Sequence, residues 1–135
     1  MCRFAEFTGA RIMIFHVSTR EGAEIIRAAH ARGVKVQAET CPHYLLMTED
    51  ILERENPARF MCSPPQRSRD DQEALWDAMG DGTIKLITSD HAPYRMDASG
   101  KFAHGKDAPF SQIANGMPGL ETRLPLMFDA MVSAG

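Results

Sequence analysis

Two apolar, β-branched stretches with a helical pattern between them open the chain. Residues 10–18, ARIMIFHVS, and residues 34–40, VKVQAET, each have the length and composition of a buried strand. The apolar positions between them recur at helical spacing. Ser18 and Glu21 have the spacing of a capping box, and Gly33 stands where a helix would end. Strand, helix and strand at this spacing predict a βαβ unit with two parallel strands.

The pattern becomes irregular after the second strand. Residues 48–55, TEDILERE, predict a short helix that ends at Asn56 and Pro57. Residues 58–65, ARFMCSPP, predict a brief extended segment that two prolines interrupt. This part of the chain therefore reads as an excursion between regular elements.

A second helix and a third strand follow the excursion. Residues 68–82 have the apolar spacing of a helix, with Ser68 placed to cap its start, and residues 83–89, TIKLITS, predict a strand. Residues 92–119 contain proline and glycine without periodicity and predict a long loop. The remaining residues have helical spacing, and Pro125 should kink that helix or mark its first turn.

The predicted order is β-α-β, excursion, α-β, long loop and α, which defines an α/β fold. Three nearly continuous apolar strands need cover on both faces, or closure into a barrel. Three strands do not close a barrel. The alternatives are a small open α/β sheet and a piece of a (β/α)₈ barrel.

Composition narrows the class of protein. The chain has 135 residues, of which 44% are hydrophobic and 24% charged, as in ordinary globular proteins. Its net charge is −3, with acids and bases interspersed, so nothing favours nucleic acid or an anionic membrane as partner. No apolar run approaches the ~20 residues that span a bilayer. Cys2, Cys41 and Cys62 form no C-x-x-C pair, which predicts packing residues in a reducing cytoplasm.

Imidazoles and carboxylates collect where the predicted strands end. His16 and Glu39 close the first two strands, and Asp90 and His91 follow the third. The carboxyl ends of parallel strands are where α/β folds build active sites. Neutral imidazole and carboxylate suit Zn²⁺ or Mn²⁺, although a metal site needs three or four protein ligands. Taken alone, His16 is equally a satisfied histidine at a strand end, and Asp90 a turn or cap residue.

Six short motifs occur in one order along the chain. They are HVS at 16–18, ETCPHYL at 39–45, SPPQR at 63–67, DQEALW at 71–76, SDHAP at 89–93 and NGMPGLETRLPLMF at 115–128. Together they resemble the cyclic amidohydrolases: dihydropyrimidinase, also called hydantoinase, with allantoinase and dihydroorotase as close relatives. The last motif is most similar to dihydropyrimidinase and hydantoinase.

The resemblance implies a metal-dependent hydrolase on a TIM barrel with a binuclear centre, of zinc or alternatively manganese. In that family the ligands are a His-x-His pair, a carboxylated lysine, a histidine from each of strands five and six, and an aspartate from strand eight. By position, His16 resembles the sixth-strand histidine and Asp90 the eighth-strand aspartate. The sequence contains no His-x-His pair. Residues 1–135 are therefore expected to be one segment of an incomplete barrel, roughly strands six to eight, from a longer parent.

The resemblance also implies roles for single residues. Asp90 would bind a metal and act first as catalytic base and then as acid. It would take a proton from the metal-bound water, which becomes hydroxide, and then give that proton to the leaving ring nitrogen. Backbone groups at Ser63 and Asn115 would bind the imide edge of a small cyclic amide or ureide. Taken alone, both residues lie in ordinary turn signals. The parent is expected to be a cytoplasmic homotetramer.

Three hypotheses of function stay open. The preferred one is a dihydropyrimidinase-like or hydantoinase-like enzyme, with the isolated chain inactive because two ligands cannot hold a binuclear centre. The second is an allantoinase or a dihydroorotase. Dihydroorotate brings a carboxylate that calls for a cationic partner, and the sequence does not place Arg67, Arg95 or Arg123. The third is a non-catalytic scaffold derived from the barrel.

Overall fold

A computed structural model describes residues 1–133 of the chain, and these residues divide into two units. The first unit consists of Met1–Thr48 and Arg67–Thr88. The second consists of Glu49–Gln66 and the segment from Ser89 onward. All of the named strands lie in the first unit, so the two units differ in architecture.

The first unit is built on a three-stranded parallel sheet. Its strands are β1 (Ile12–Ile14), β2 (Val36–Thr40) and β3 (Leu86–Ile87), in the order β1-β2-β3. Ile14 pairs with Ala38, and Thr40 pairs with Ile87. The predicted α/β fold with parallel strands is confirmed. Each strand is shorter than its apolar run in the sequence.

Four α-helices accompany the sheet in the first unit. They are α1 (Cys2–Thr8), α2 (Arg20–Ala31), α3 (Pro42–Leu46) and α4 (Arg69–Gly80). The pattern predicted α2 and α4 but neither α1 nor α3. Both missed helices are short, with seven and five residues, so each spans too few turns for a helical period to show in the sequence.

The starts of α2 and α4 are set by different caps. The predicted capping box at Ser18 is wrong, because the N–H of Val17 still donates to the carbonyl of Glu39 and the chain leaves the sheet later. Thr19 caps α2 instead, accepting from the N–H of Gly22 at 3.1 Å. The predicted cap of α4 is confirmed: the hydroxyl of Ser68 accepts from the N–H of Asp71 at 3.2 Å.

Helices α2 and α4 bury one face each. On α2, Ile26 and Ala29 are buried, whereas Ile25 is 59% exposed, because adjacent helix positions differ by about 100°. Leu75 is fully buried on α4. The indole N–H of Trp76 donates to the carbonyl of Leu45 at 2.9 Å, which joins α4 to α3.

The second unit is mostly irregular. Within residues 48–55 a 3₁₀ helix spans Glu49–Glu53. The predicted extended segment is wrong at residues 58–60, because Pro57–Phe60 is a second 3₁₀ turn. The predicted long loop contains a short 3₁₀ turn at Phe110–Gln112, and its Met117 forms an isolated parallel bridge with His91. The second unit contains one α-helix among its described residues, α5, which spans Leu120–Phe128.

Helix α5 contains Pro125 in its interior, which excludes the predicted alternative of a first-turn proline. A π-helical turn, Asp129–Ser133, continues the chain, and the last two residues of the predicted helical segment lie outside the described residues. Of the helices in residues 1–133, none combines the length and apolar character needed to cross a bilayer.

Candidate functional site

His16 lies just beyond β1 and is held by a carboxylate of the next strand. Its backbone N–H donates to Oε1 of Glu39 at 2.7 Å. Its ring atom Nδ1 lies 2.9 Å from the same oxygen. One carboxylate oxygen therefore contacts both the main chain and the imidazole of His16.

Glu39 is fully buried, and its carboxylate is satisfied on both oxygens. The Thr88 hydroxyl donates a short hydrogen bond to Oε2 of Glu39. The Cys41 thiol lies 4.0 Å from Oε2 and 3.6 Å from the Thr88 hydroxyl. A buried carboxylate is tolerated only when such donors replace water. These hydrogen bonds therefore hold the Glu39 carboxylate in one orientation against His16.

This cluster is the one group of three potential metal ligands found within residues 1–133. The ligand atoms of His16, Glu39 and Cys41 all lie within 4.8 Å of one another. Imidazole, carboxylate and thiolate are ligands that Zn²⁺ accepts. With Nδ1 in contact with Glu39, a metal ion bound by the imidazole of His16 would be bound at Nε2. The donor chemistry at His16 therefore fits a metal-binding histidine.

Asp90 lies in the second unit, three residues after β3, and is partly buried. Its φ of 43° and the φ of 55° at His16 are both left-handed. Among residues 1–133, only one other non-glycine residue, Asn56, has a positive φ. Non-glycine residues adopt this conformation at an energetic cost, and such positions cluster at functional sites. The two predicted metal ligands thus share an uncommon backbone conformation.

His91, the neighbour of Asp90, has a structural role. Its Nδ1 accepts hydrogen bonds from the backbone N–H groups of Gly119 and Leu120, at 3.1 and 3.2 Å. Those groups lie at the start of α5, where N–H groups have no partner within the helix. His91 therefore caps α5.

The two residues predicted to bind substrate lie in contact. The Ser63 hydroxyl donates to Oδ1 of Asn115 at 3.1 Å, and both side chains are exposed. The adjoining N–H of Gly116 donates to the carbonyl of Met61 at 2.9 Å. Two segments 52 residues apart in the chain are thereby joined at the predicted substrate-binding residues.

Lys101 is a buried charge that no sequence pattern singles out. Its side chain is only 2% exposed, and Nζ donates to the carbonyl of Met61 at 3.0 Å. Burial lowers the pKa of Lys101, because the ammonium loses its hydration. Lysine in a loop is ordinarily solvated, so only the tertiary structure identifies this residue.

Two sequence relatives and one solved structure, each more than three times as long as this chain, illustrate what it is similar to. A dihydroorotase of Syntrophotalea carbinolica is 47% identical over 122 residues, which are 90% of this chain and 27% of that protein. A dihydroorotase of Ruminiclostridium cellulolyticum is 44% identical over 131 residues, which are 97% of this chain and 29% of that protein. The crystal structure of a D-hydantoinase superposes with a TM-score of 0.91 and 33% identity, covering 99% of this chain and 29% of its own. No protein-family model matches the chain.

Parallel α/β architecture, the ordered motifs and these similarities point to one class of protein: nearly the whole chain is similar to a segment of the cyclic amidohydrolases. Within that class the sequence relatives described above are dihydroorotases, and the structural one is a D-hydantoinase. The chain spans less than a third of the length of each.

Proposed function

We propose that the protein to which this chain corresponds opens a cyclic amide by metal-dependent hydrolysis, with dihydroorotate as its substrate. The observation that carries this proposal is 47% identity to a dihydroorotase over 90% of the chain, against 33% to a D-hydantoinase. The motifs alone favoured the dihydropyrimidinase branch and kept dihydroorotase as the alternative. The identities reverse that order of preference.

His16 and Asp90 are the metal ligands in this proposal, with Zn²⁺ as the ion and Mn²⁺ as the alternative. A bound ion of this kind lowers the pKa of water and polarises a carbonyl. His16 offers Nε2, since its Nδ1 contacts Glu39. Asp90 also moves a proton, holding it on a carboxylate oxygen and passing it to the ring nitrogen that leaves.

Ser63 and Asn115 form the substrate-binding pair in this proposal. A cyclic imide presents an N–H between two carbonyls, so main-chain donors and acceptors match it. The contact between the two side chains keeps both backbone segments together. Residues 1–135 are proposed to be one barrel segment, corresponding to strands six to eight of the family.

Ring opening of dihydroorotate by the protein at the full length its gene encodes tests the proposal. We expect Asp90→Asn to lower kcat by roughly 10²–10⁴-fold, the usual contribution of a general acid or base. His16→Ala should remove bound metal. His91→Asn serves as the matched control, since it changes the neighbouring residue that caps α5. Equal losses in Asp90→Asn and His91→Asn would contradict the assignment of Asp90.

A hydantoinase activity is the second candidate, because the D-hydantoinase structure superposes with a TM-score of 0.91. A panel of dihydroorotate, dihydrouracil, allantoin and hydantoin distinguishes the candidates by kcat/KM. Stoichiometric metal in the purified protein would exclude the non-catalytic scaffold. The family resemblance alone supports a cytoplasmic location and a homotetramer.

A further inference from the structure

We propose that Glu39 is a positioning residue that fixes the tautomer and the ring orientation of His16. This inference rests on the proposed role of His16 as a metal ligand. The Glu39 carboxylate keeps the proton of the neutral imidazole on Nδ1. The lone pair of the ring is then on Nε2, the atom that would face the ion.

The contacts of one oxygen define the tautomer. Oε1 of Glu39 accepts from the backbone N–H of His16 at 2.7 Å, so this oxygen acts as an acceptor. Nδ1 of His16 lies 2.9 Å from the same oxygen. Two unprotonated acceptors at that distance would repel each other, whereas a protonated Nδ1 donates. Glu39 therefore selects the tautomer in which the unprotonated nitrogen is Nε2.

The same carboxylate also holds the backbone of His16. Its hydrogen bond to the His16 N–H supports a residue whose φ is 55°. Glu39 lies on β2 in register with Leu86 of β3, and the Thr88 hydroxyl binds its other oxygen. A fully buried side chain tied at both oxygens has little freedom to rotate. Backbone and ring of His16 are thus set by one rigid group.

A three-residue metal site of His16, Glu39 and Cys41 is the competing arrangement. Tetrahedral zinc ligands at the usual bond lengths lie about 3.3–3.5 Å apart. The separation of 2.9 Å between Nδ1 and Oε1 is shorter than this. The Cys41 sulfur is farther, at 3.8 Å from Nδ1 and 4.0 Å from Oε2. These distances favour a hydrogen bond between His16 and Glu39.

Zinc affinity of the protein at its full encoded length tests the inference, measured by competition with a chelator. Glu39→Leu removes the acceptor, and we expect zinc affinity to fall by roughly 10–100-fold, as for other supporting residues of metal sites. Glu39→Gln keeps an oxygen that accepts from both His16 donors, so it should recover part of the loss. It also serves if Glu39→Leu fails to fold. If Glu39→Gln and Glu39→Leu, each measured separately, both keep the wild-type zinc affinity, the inference is wrong.

Two further variants separate positioning from stability and from direct ligation. Thr88→Val removes the donor to the other oxygen of Glu39 and should lower the melting temperature of the metal-free protein. If the loss of zinc affinity in Thr88→Val and Glu39→Leu is proportional to the decrease in melting temperature, the effect is general destabilisation and the inference is wrong. Cys41→Ala should keep wild-type affinity. A loss there equal to that of Glu39→Leu would establish the three-residue site instead.

His16→Ala distinguishes failure of the inference from failure of the proposed function. If His16→Ala loses zinc and Glu39→Leu does not, His16 is a ligand that needs no support from Glu39. If His16→Ala binds zinc like the wild type, the proposed metal role of His16 itself is wrong.

Discussion

At the scale of single residues, the carbonyl of Met61 joins three segments of the second unit. It accepts from the N–H of Gly116 at 2.9 Å and from Nζ of Lys101 at 3.0 Å. Ser63 follows Met61 by two residues, and Asn115 precedes Gly116. The positions of the two proposed substrate-binding residues therefore depend on donors that the sequence motifs do not reveal.

Gly116 is predicted to be intolerant of any side chain. Its φ is 148°, and an added Cβ would lie 2.5 Å from Cβ of Ala92 and 2.6 Å from the Ala92 carbonyl oxygen. We expect Gly116→Ala to lower the free energy of unfolding by about 1–3 kcal/mol from backbone strain, plus the clash. Urea denaturation measures this. Gly105→Ala is the matched control, because Gly105 also has a positive φ, 96°, but open space around it. If both variants lose the same free energy of unfolding, the clash with Ala92 adds nothing and the prediction for Gly116 is wrong.

Lys101 is predicted to make the free energy of unfolding depend on pH in the alkaline range. Burial lowers its pKa below the usual 10.5, so between the folded-state pKa and 10.5 the unfolded chain binds more protons than the folded one. The free energy of unfolding then rises with pH across that window. Lys101→Met should abolish this rise, as read from urea midpoints taken from neutral pH upward. Lys106→Met, at an exposed lysine, should keep it, and an identical pH profile in Lys101→Met and the wild type would refute the prediction.

At the scale of elements, hydrogen bonds to Asp71 in the first turn of α4 stabilise that helix and its position against α2. Asp71 accepts from the N–H of Ser68 at 3.3 Å, which completes the capping box, and from the N–H of Arg20 at 2.9 Å. The second bond reaches the start of α2. One carboxylate therefore stabilises the start of α4 and ties it to α2, the helix against which it packs.

Asp71→Asn is predicted to destabilise the fold by about 1 kcal/mol near neutral pH, the usual effect of losing a helix cap. Burial raises the pKa of Asp71, but hydrogen bonds from Ser68 and from the N–H groups of Arg20 and Ser68 outweigh it and lower the pKa below 3.8. The carboxylate's contribution is therefore present above pH 3.8 and is lost as pH falls through the folded-state pKa. Thermal melts of variant and wild type should converge in that acid range.

Asp70→Asn is the control for the effect of charge alone. It removes an acidic group from the same first turn, and Asp70 contributes only its main-chain carbonyl to Arg20. If Asp70→Asn costs as much stability as Asp71→Asn, the macrodipole rather than the capping box accounts for the loss.

At the scale of the whole molecule, large apolar side chains face solvent. Phe7 is 90% exposed, Phe15 61% and Leu124 76%. Among the described residues β1 and β3 each pair with one strand, so both are edges of the sheet. Exposed edges and apolar surface favour association. The relatives described above are more than three times as long as this chain.

The 135-residue chain by itself is therefore predicted to aggregate and to be inactive. We expect no ring opening when it is incubated with Zn²⁺ or Mn²⁺ and either dihydroorotate or a hydantoin, and we expect oligomers in size-exclusion chromatography. The S. carbinolica dihydroorotase, assayed in parallel, is the positive control for the dihydroorotate assay. A soluble monomer with a cooperative thermal transition and turnover would contradict both parts of the prediction.

Local interactions account for what the sequence alone could predict. The βαβ unit, the α4 cap at Ser68 and the family motifs were readable because each depends on residues close together in the chain. The cap of α2 was misplaced by one residue, from Ser18 to Thr19, because a bond to the neighbouring strand decides where the chain leaves the sheet. Metal ligation by His16 and Asp90 stays a prediction.

The sequence by itself determined the family that the chain resembles, the parallel α/β order and the candidate residues, since motif order and apolar period are properties of the chain. The tertiary structure decided which groups hold those residues. Glu39 reaches His16 across 23 positions and Lys101 reaches Met61 across 40. A buried carboxylate or ammonium acquires its role from the donors and acceptors that replace water around it, and folding alone brings those groups together.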